Sequence, residues 1–510
     1  MTKSPPALRI GVDVGGTHTD SVLMAGRRVV REFKTATTAD VTTGVVTALR
    51  EAAHAAEGPV ARVVIGTTHF TNAVLTGAGL SRVAALRIGL PASASLPPFC
   101  DWPQGLARRV RGPVMQVAGG HECDGRPIAP LDETGIARVG RSLRHEGIRD
   151  VAVSAVFSPL DGRGEARAAE ILREEHPEAR ITESRELGRI GLLGRENAGL
   201  LNAALRPLAA RVMRAFADAM ETAGIRAPLL IARNDGTVAR VPAAAAYPVL
   251  SLSSGPTNSM TGAAFLSGVS EAVVVDVGGT TTDIGYLRAG FPREAPREVV
   301  IGGVRTLFRM PDLLSIALGG GSLVTRNGGA VGPGSVGYRL IEKGRVFGGD
   351  ILTATDCGVA AGWARIGDAR RVAALSSAVT RRFARAVRER IEESVDRMKP
   401  DAAARSLLAV GGGAFLIPER TPGVSERVDV PHASVANAVG AAIARIGGET
   451  DRVFHGVGRE EAFRRATEEA EAGAVAAGAD PTALEVVERE DLPLAYLPGD
   501  ARRVRVRVVG

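Results

Sequence analysis

The sequence carries one ten-residue motif twice. Residues 11–20 read GVDVGGTHTD and residues 274–283 read VVDVGGTTTD, and eight of the ten aligned positions are identical. The copies are 263 residues apart, counted from Asp13 to Asp276. A chain of 510 residues is longer than one hydrophobic core usually holds, so two or three domains are expected. The repeat therefore predicts two similar half-domains, each of which contributes one copy of the motif.

The residue types of the motif suit the binding of phosphate. Glycine permits positive φ and lets the backbone approach a ligand closely, and successive N–H groups in such a turn form a concavity that holds anions. Thr17 and Thr280 add hydroxyl donors, while Asp13 and Asp276 end the preceding strands. A carboxylate beside phosphate oxygens makes chemical sense when Mg²⁺ lies between them. Two such turns are predicted to grip the β- and γ-phosphates of a nucleotide from both sides.

A tight hairpin between antiparallel strands is the alternative explanation for either copy taken alone. Two copies that share Asp, Gly, Gly, Thr and a second aspartate, Asp20 or Asp283, favour the nucleotide site. The sequence has no GxxxxGK[ST] loop and no GxGxxG motif that opens a helix. Any phosphate site must therefore depend on the repeated turn.

Two further segments fit a nucleotide between half-domains. LLAVGGGAFLI (407–417) places Gly411, Gly412 and Gly413 after an apolar strand, where bare backbone would let an adenine or ribose ring lie flat. A simple strand-to-helix turn explains these glycines equally well. The small-residue helix predicted over 434–448 can pack closely against a neighbour, either as a hinge between the halves or as ordinary packing.

Composition excludes several classes of protein. The chain is 45% hydrophobic and 23% charged, as is usual for soluble globular proteins, and it has neither an apolar run of membrane-spanning length nor a signal-peptide pattern. Its three cysteines are widely spaced, which favours a reducing, cytoplasmic location. The net charge of +7 is distributed on helices where arginines alternate with acids, and aromatic residues are 4%, so nucleic-acid binding is not expected.

The order of elements predicts an α/β fold with mixed sheets. Residues 8–70 read as three short strands, a helix over 40–56 capped by Asp40, and a fourth strand. Residues 91–130 are rich in Pro and Gly and are expected to be irregular, and Pro207 is expected to kink or break a long helix over 196–223. Helices are predicted over 376–398 and 458–476, and residues 484–510 are expected to form two strands joined by a YLPGD turn. Domains are predicted at 1–195, 196–450 and 451–510.

A series of motifs resembles the large (A-type) subunits of the hydantoinase/oxoprolinase family, within the superfamily of actin, Hsp70 chaperones and sugar kinases. The order of these motifs matches from near residue 8 to about residue 450. The resemblance implies two actin-like, ribonuclease H-like ATPase lobes with a nucleotide cleft between them, followed by a small C-terminal α/β extension. Beside the two repeated turns, the motifs are IGTTHFTNAVL (65–75), PLDETGIARVGRSLR (130–144), AVFSP (155–159), SSGPTNSMTGA (253–263), LGGGSLV (318–324), VGPGSVGY (331–338) and LTATD (352–356).

The resemblance also implies roles for individual residues. Asp13 and Asp276 would position Mg²⁺ or water, and both are assigned as catalytic residues and metal ligands. His69 would carry a proton in the reaction, or bind a metal together with His121; a hydrogen-bonded turn residue is the alternative. The residues implied to bind phosphates are Gly15, Gly16, Thr17, Thr19, Gly278, Gly279, Thr280 and Thr281. Gly411, Gly412 and Gly413 would line the adenosine, while Thr67, Thr68, Asn72, Ser254 and Gly255 would face the second substrate.

The activity implied is ATP-dependent hydrolysis of a cyclic amide, such as a hydantoin, 5-oxoproline or another lactam, through phosphorylation of the amide oxygen. The family includes ATP-dependent N-methylhydantoinase and 5-oxoprolinase components and acetone carboxylase subunits. Two alternatives are a subunit that phosphorylates a ketone or bicarbonate, and a non-catalytic ATPase that remodels a partner protein. A separate second subunit and an oligomer are expected. His69 and the segment 121–123 (HEC) depart from the family pattern, which leaves the substrate open.

Overall fold

The computed structural model describes residues 6–15, 18–36, 41–495 and 500–510. The first copy of the motif lies in a six-stranded mixed sheet, as the order of elements predicts. Leu8–Val14 pairs antiparallel with His18–Ala25 and parallel with Val60–Thr67. From one edge to the other, the strands are Val238–Arg240, Leu229–Ala232, Val60–Thr67, Leu8–Val14, His18–Ala25 and Arg28–Ala36.

The second copy lies in a second sheet with the same local arrangement. Ala272–Val277 pairs antiparallel with Thr282–Arg288 and parallel with Arg405–Val410. Across the two antiparallel pairs, Asp13 lies opposite Asp20 and Asp276 lies opposite Asp283. The repeated sequence thus marks a repeated structural unit. The sheet runs Phe291–Pro292, Thr282–Arg288, Ala272–Val277, Arg405–Val410 and Val424–Asp429, with Leu313–Ile316 also paired to Thr282–Arg288.

A four-stranded parallel sheet is formed by strands between Val83 and Glu183, which follow the opening strands of the first sheet in the sequence. Its order is Arg111–Ala118, Val83–Leu90, Asp150–Ala155 and Arg180–Glu183, and helices Glu133–His145 and Arg163–Glu175 pack on it. The expectation that residues 91–130 are irregular was wrong for part of the segment, which forms the helix Gln104–Val110 and the strand Arg111–Ala118. That strand contains Pro113 and lies at a sheet edge, where a missing N–H is tolerated.

The helix Leu192–Thr222 runs through Pro207 without a break, so the expected break is absent. The following strands, Leu229–Ala232 and Val238–Arg240, return to the first sheet. The first lobe's sheet thus includes residues on both sides of the boundary predicted at 195. The division of the chain at residues 195 and 450 stays a prediction.

Two helices cross between the two sheets, and we call them the crossing helices. Ser254–Ser267 packs on the second sheet, and Ala436–Ile443 packs on the first. A Cβ on Gly262 would lie 1.9 Å from the carbonyl oxygen of Ala436, and one on Gly440 would lie 1.8 Å from that of Asn258. The backbones of the two helices are therefore in direct contact, and larger residues at the crossing would push them apart.

Residues 447–495 and 500–510 form a C-terminal module. Gly447–Phe454, Arg502–Val509 and Glu485–Pro493 make a three-stranded antiparallel sheet, and buried alanines of helix Arg459–Ala477 pack on it. The two predicted strands are confirmed, and most of their YLPGD turn lies outside the described residues, as does Asp40. The helix predicted over 434–448 ends at Ile443, because Gly448 enters a strand where a Cβ would lie 2.0 Å from the carbonyl oxygen of Ala470.

The remaining regular elements are shorter or lie on the outside of the sheets. In the described part of the chain, no helix combines the length and the apolar character needed to cross a membrane. The other helices are Val41–His54, His69–Thr76, Val241–Ala246, Leu340–Lys343, Ala354–Ala360 and Ser377–Met398, and two short strand pairs join Val299–Ile301 with Val304–Thr306 and Ser322–Val324 with Val331–Ser335.

Candidate functional site

The two motif turns have the same backbone hydrogen bond. The N–H of Gly15 donates to the carbonyl of His18 over 3.0 Å, and the N–H of Gly278 donates to that of Thr281 over 2.9 Å. Gly16 and Thr17 of the first turn lie outside the described residues. In the second turn Gly278 and Gly279 are partly exposed, and Thr280 and Thr281 are exposed, so this turn lies at the surface.

Asp13 ends its strand in a buried polar cluster. The Nδ2 group of Asn437 donates to Oδ2 of Asp13 and to Oδ2 of Asp20, each over 3.0 Å. Oδ1 of Asp13 is buried without a hydrogen-bond partner. A Cβ at position 66 would lie 2.5 Å from this oxygen, so Gly66 leaves the space in which it sits. One carboxylate oxygen of Asp13 therefore accepts a hydrogen bond from Asn437, while the other has no hydrogen bond and lies beside Gly66 and the amide of Asn258.

The carboxyl groups of the two turns influence each other. Burial raises the pKa of Asp13 to about 7, the negative charges of Asp20 and Asp276 add to the rise, and the amides of Asn437 and Asn258 oppose it. The geometry agrees with this influence, because Nζ of Lys34 lies 3.0 Å from Oδ1 of Asp20 and 4.0 Å from a Cβ built on Gly412. The neighbouring residue Gly411 adjoins Oδ1 of Asp276, so the ends of the two strands lie around one space.

Asp276 has the corresponding environment in the second lobe. Burial raises its pKa to about 6, the hydroxyl of Ser259 opposes the rise, and the charges of Asp283 and Asp20 contribute to it. Both strand-end aspartates thus carry a charge that the protein alone compensates poorly. A cation bound between the lobes would lower both pKa values.

The predicted adenosine segment adjoins the second turn. Gly411 has a φ of +86° and would bring a Cβ within 2.3 Å of Oδ1 of Asp276, so this position requires glycine. The N–H of Gly413 donates to the carbonyl of Val277 over 2.7 Å. On the other side, Gly321 donates to Gly279 over 2.7 Å. Glycine-rich loops therefore enclose the second turn.

Part of the predicted substrate segment lies beside Asp13. A Cβ on Gly255 would lie 3.6 Å from Oδ2 of Asp13 and 3.9 Å from Cγ2 of Thr68. The hydroxyl of Thr68 donates to the carbonyl of Val14 over 3.0 Å, and that of Ser254 is buried without a partner. The structure therefore brings Thr68, Ser254 and Gly255 to the first turn.

Other predicted residues lie differently. Thr67 is buried and its hydroxyl contacts the ring of His69, and Asn72 is exposed on the helix that His69 begins. Thr19 is fully buried and faces Gly44, on the opposite side of its strand from Asp20. The structure does not bring Thr19 to the other predicted phosphate-binding residues.

The two histidines have separate surroundings. The ring of His69 packs edge-on against Phe216 with centroids 6.5 Å apart, and burial lowers its pKa. Nε2 of His121 lies 3.6 Å from Oδ2 of Asp161, beyond the edge strand of the four-stranded sheet. Over the described ranges, no group of three or more His, Cys, Asp or Glu side chains could hold a metal ion. The geometry gives no support to a metal shared by His69 and His121.

The sequence did not reveal three polar residues of this cluster. Asn437 binds both Asp13 and Asp20, Asn258 acts on Asp13, and Nζ of Lys34 lies 3.0 Å from Oδ1 of Asp20. The available signal was an isolated polar residue in an otherwise apolar setting, since Asn437 is the one polar side chain in the helix ANAVGAAI. Such a signal does not name the partner, which lies 424 residues away for Asp13.

Comparisons with known families give the class of the protein. The model of the hydantoinase/oxoprolinase N-terminal region matches residues 9–176, and the hydantoinase/oxoprolinase model matches residues 195–367. Together the two matches cover more than half of the chain. The chain belongs to the hydantoinase/oxoprolinase family.

Curated relatives are distant and longer. The chain is 25% identical over 310 residues to caprolactamase subunit alpha of Pseudomonas jessenii, which covers 55% of this chain and 44% of the relative. It is 26% identical over 403 residues to the acetophenone carboxylase gamma subunit of Aromatoleum aromaticum, covering 71% and 54%. The chain thus spans about half the length of the curated relatives it matches.

Solved structures establish the fold. The ATP-dependent caprolactamase from Pseudomonas jessenii superposes with a TM-score of 0.75 at 20% identity, over 98% of this chain and 87% of that one. The nucleotide-free structure of acetone carboxylase superposes with a TM-score of 0.68 at 16% identity, over 99% and 88%. The chain therefore has the mixed α/β fold of these two proteins, as the family resemblance implies.

Proposed function

We propose that this chain binds ATP with Mg²⁺ between its two lobes and uses it to phosphorylate the oxygen of a cyclic amide, which is then hydrolysed. The observation that carries the proposal is the pair of matched turns, which have the same hydrogen bond and the same facing aspartates, with Lys34 close to both. The names of two relatives, an ATP-dependent caprolactamase and a caprolactamase subunit, support a lactam as substrate.

The residues present fit a divalent cation. Asp13 and Asp276 would hold Mg²⁺, directly or through water, because each has a raised pKa and Asp13 has an unpartnered buried oxygen. Mg²⁺ in nucleotide sites takes one or two carboxylates and completes its shell with phosphate oxygens and water. A site without a preformed three-ligand cluster is consistent with this pattern. The ion would supply neutralisation of charge at the transferred phosphoryl group.

Backbone donors would hold the phosphates on both sides. In this proposal the phosphate-binding residues are Gly15, Gly16, Thr17, Gly278, Gly279, Thr280 and Thr281, and Gly411, Gly412 and Gly413 line the adenosine. Thr19, buried against the neighbouring helix, is left out. The contribution of these residues is positioning and charge stabilisation, which dominate catalysis of phosphoryl transfer.

The chemistry needs an activated carbonyl carbon. A lactam resists attack because its resonance must be broken, and transfer of the γ-phosphoryl group to its oxygen creates a good leaving group. Water then adds to the carbon, and the C–N bond breaks as the nitrogen takes up a proton, which leaves an open-chain acyl phosphate. A second water hydrolyses this acyl phosphate to the carboxylate and inorganic phosphate. We place the lactam beside Thr68, Ser254 and Gly255, next to Asp13. His69, whose lowered pKa keeps it neutral at pH 7, would accept the proton of the attacking water.

A second candidate is phosphorylation of a ketone or of bicarbonate. The chain is 26% identical to the acetophenone carboxylase gamma subunit and 25% identical to caprolactamase subunit alpha, and acetone carboxylase shares the fold. Both reactions begin with transfer of a phosphoryl group to oxygen, so the same nucleotide site would serve either. The residues around Thr68 would then decide between a cyclic amide and a ketone.

We further propose a second subunit. The two curated relatives described above are named as subunits. A separate protein would then supply the groups that complete hydrolysis or carboxylation. This proposal makes the protein encoded beside this chain the first candidate to test.

The test is ATP turnover by the full chain, alone and with the neighbouring protein, against hydantoins, 5-oxoproline, larger lactams, and ketone plus bicarbonate. We expect stimulation by a lactam, and stimulation only by ketone plus bicarbonate would establish the second candidate. Stimulation by a protein alone would indicate a remodelling ATPase.

Replacement of Asp276 is expected to remove the activity found in this screen. Asp276→Asn should lower kcat for ATP at least about 100-fold, because it removes a carboxylate that holds the ion. The matched control is Asp218→Asn, which changes an exposed aspartate on the helix Leu192–Thr222 and should leave turnover unchanged. Unchanged turnover in Asp276→Asn would contradict the assignment of the site.

A further inference from the structure

Lys34 lies where the two lobes meet. It belongs to the edge strand Arg28–Ala36 and is directly opposite Asp20 in the first sheet. Its Nζ is 3.0 Å from Oδ1 of Asp20 and donates to the carbonyl of Ser434 over 3.2 Å. Ser434 lies between the last strand of the second sheet and the second crossing helix. Lys34 thus spans from the first sheet to the segment that connects the lobes.

A second contact holds the same strand to the same segment. Nδ1 of His432 lies 3.1 Å from Oε2 of Glu32, two residues before Lys34 and on the same face of the strand. Glu32 and Lys34 therefore contact residues 432 and 434 side by side. Two contacts from neighbouring positions of the strand thus join it to the connecting segment.

The ammonium group is close to both turns. Asp20, its ion-pair partner, shares the amide of Asn437 with Asp13. On the other lobe, the charge of Lys34 lowers the pKa of Asp276, and a Cβ on Gly412 would lie 4.0 Å from Nζ. Within the described ranges, no arginine and no other lysine is among the main influences on the pKa of Asp13 or Asp276.

Around this space, negatively charged side chains outnumber positively charged ones. Four aspartates, Asp13, Asp20, Asp276 and Asp283, lie at the strand ends against one ammonium group. A nucleotide would add the negative charge of its terminal phosphates to the same space. The lysine side chain is 37% exposed, and two of its three N–H donors face Asp20 and Ser434, so one donor is available to a ligand.

We propose that Lys34 is a phosphate-binding residue of the nucleotide site. Its ammonium group binds a terminal phosphate oxygen of the nucleotide while the strand that carries it stays fixed to residues 432–434. This inference rests on the proposed function, since it assumes a nucleotide between the lobes. The recognised group is the β- or γ-phosphate, so the contribution of Lys34 grows with the number of phosphates on the ligand.

The test is the affinity of the full chain for ATP, ADP and AMP in the presence of Mg²⁺, measured by titration calorimetry. Lys34→Met is expected to weaken ATP and ADP about 10- to 100-fold and AMP less than about 3-fold. Lys34→Arg should retain most of the affinity for ATP. Arg31→Met is the control, because Arg31 is an exposed cation on the same strand but three residues away, on the opposite face.

A double variant separates phosphate binding from simple neutralisation of Asp20. If Lys34 only compensates Asp20, then Asp20→Asn combined with Lys34→Met restores the affinity for ATP, and this result would overturn the inference. Equal weakening of ATP, ADP and AMP would overturn it as well. If the unaltered chain binds ATP and Lys34→Met binds it equally well, the inference fails while the proposed function stands. If the unaltered chain binds no nucleotide, both fail.

Discussion

Asp13 combines the constraints of the site in one side chain. Its position at the end of a buried strand follows from the motif, and the amide of Asn437, which also donates to Asp20, holds one oxygen in place. Its other oxygen is buried without a partner, and burial with neighbouring negative charge raises its pKa to about 7. The protein therefore carries an electrostatic cost at this residue that a bound cation would offset.

In the protein without Mg²⁺ and nucleotide, the raised pKa of Asp13 makes the free energy of unfolding depend measurably on pH. The folded chain holds the proton of Asp13 up to about pH 7 and the unfolded chain releases it near the ordinary value of 3.8. The free energy of unfolding therefore decreases as the pH rises between these values, by up to roughly 4 kcal/mol. Asp13→Asn removes this titration, so its thermal midpoint should exceed that of the unaltered chain by more at pH 8 than at pH 5.

The comparison is made by thermal unfolding in buffers with a chelator, with Asp218→Asn as the exposed control. The control should keep a constant difference from the unaltered chain at both pH values. Addition of Mg²⁺ and ATP should reduce the advantage of Asp13→Asn. An advantage that is equal at pH 5 and pH 8 would contradict the assigned environment of Asp13.

At the scale of elements, the two crossing helices fix how the lobes meet. Their backbones touch at Gly262 and Gly440, and each helix packs on a different sheet. Asn258 and Asn437, which act on Asp13, lie on these helices one on each side of the crossing. A change in the spacing of the helices would therefore reach the site directly.

Gly440→Ala tests this contact. A Cβ there would lie 1.8 Å from the carbonyl of Asn258, so overpacking should destabilise the chain by about 1–3 kcal/mol or more and lower ATP turnover. Gly473→Ala is the matched control, since Gly473 lies in the helix Arg459–Ala477, where a Cβ has no neighbour closer than 3.8 Å. It should stabilise that helix by roughly 0.5–1 kcal/mol.

Thermal unfolding and turnover of the two variants give the answer together. Equal stability of both variants would show that the helices tolerate a wider crossing. If Gly440→Ala loses stability but keeps full ATP turnover, the contact between the crossing helices does not affect the site.

The sequence alone predicted the repeated unit because its determinants are local. A strand, a glycine turn and a second aspartate lie within ten residues, so the motif defines the antiparallel pair in which Asp13 faces Asp20 and Asp276 faces Asp283. Asn437 and Lys34 could not be assigned in this way. Their contacts join segments hundreds of residues apart, which depend on how the lobes pack.

Contacts between distant segments also explain where the structure differs from what the sequence pattern predicts. The segment 434–448 has helical composition throughout, but Gly448 is required for backbone contact with the helix Arg459–Ala477, so a strand forms there. A metal shared by His69 and His121 was one of two alternatives and stays untested; the structure places Nε2 of His121 3.6 Å from Oδ2 of Asp161. Composition predicts local elements correctly only where tertiary contacts favour the same structure.

At the scale of the whole molecule, an ionic cluster ties the C-terminal module to the lobes. Glu294, beside the second sheet, accepts from Arg505 and Arg507 of the module over 2.5 Å and 3.4 Å. It also contacts Arg309 and lies 3.3 Å from Arg189, which precedes the helix Leu192–Thr222. Arg505 and Arg507 are 7% and 5% exposed, so the cluster is largely shielded from water.

Glu294→Gln is expected to loosen the module. Removing this carboxylate leaves several shielded arginines undercompensated, which should cost about 3 kcal/mol and increase the cleavage of the module in limited proteolysis. Glu485→Gln removes the partner of Arg445 in an exposed pair, where the expected loss is below about 1 kcal/mol. Equal proteolysis of both variants would show that the module is held by its apolar contacts alone.

The central claim is that the two matched turns close around one nucleotide. A crystal structure of the full chain with Mg²⁺ and a non-hydrolysable ATP analogue tests it most directly. We expect the triphosphate to lie between the turns that follow Asp13 and Asp276, and the adenosine to lie beside Gly411–Gly413. The metal should lie within one water molecule of both aspartates. A nucleotide that contacts only one turn, or that binds outside the space between the lobes, would contradict it.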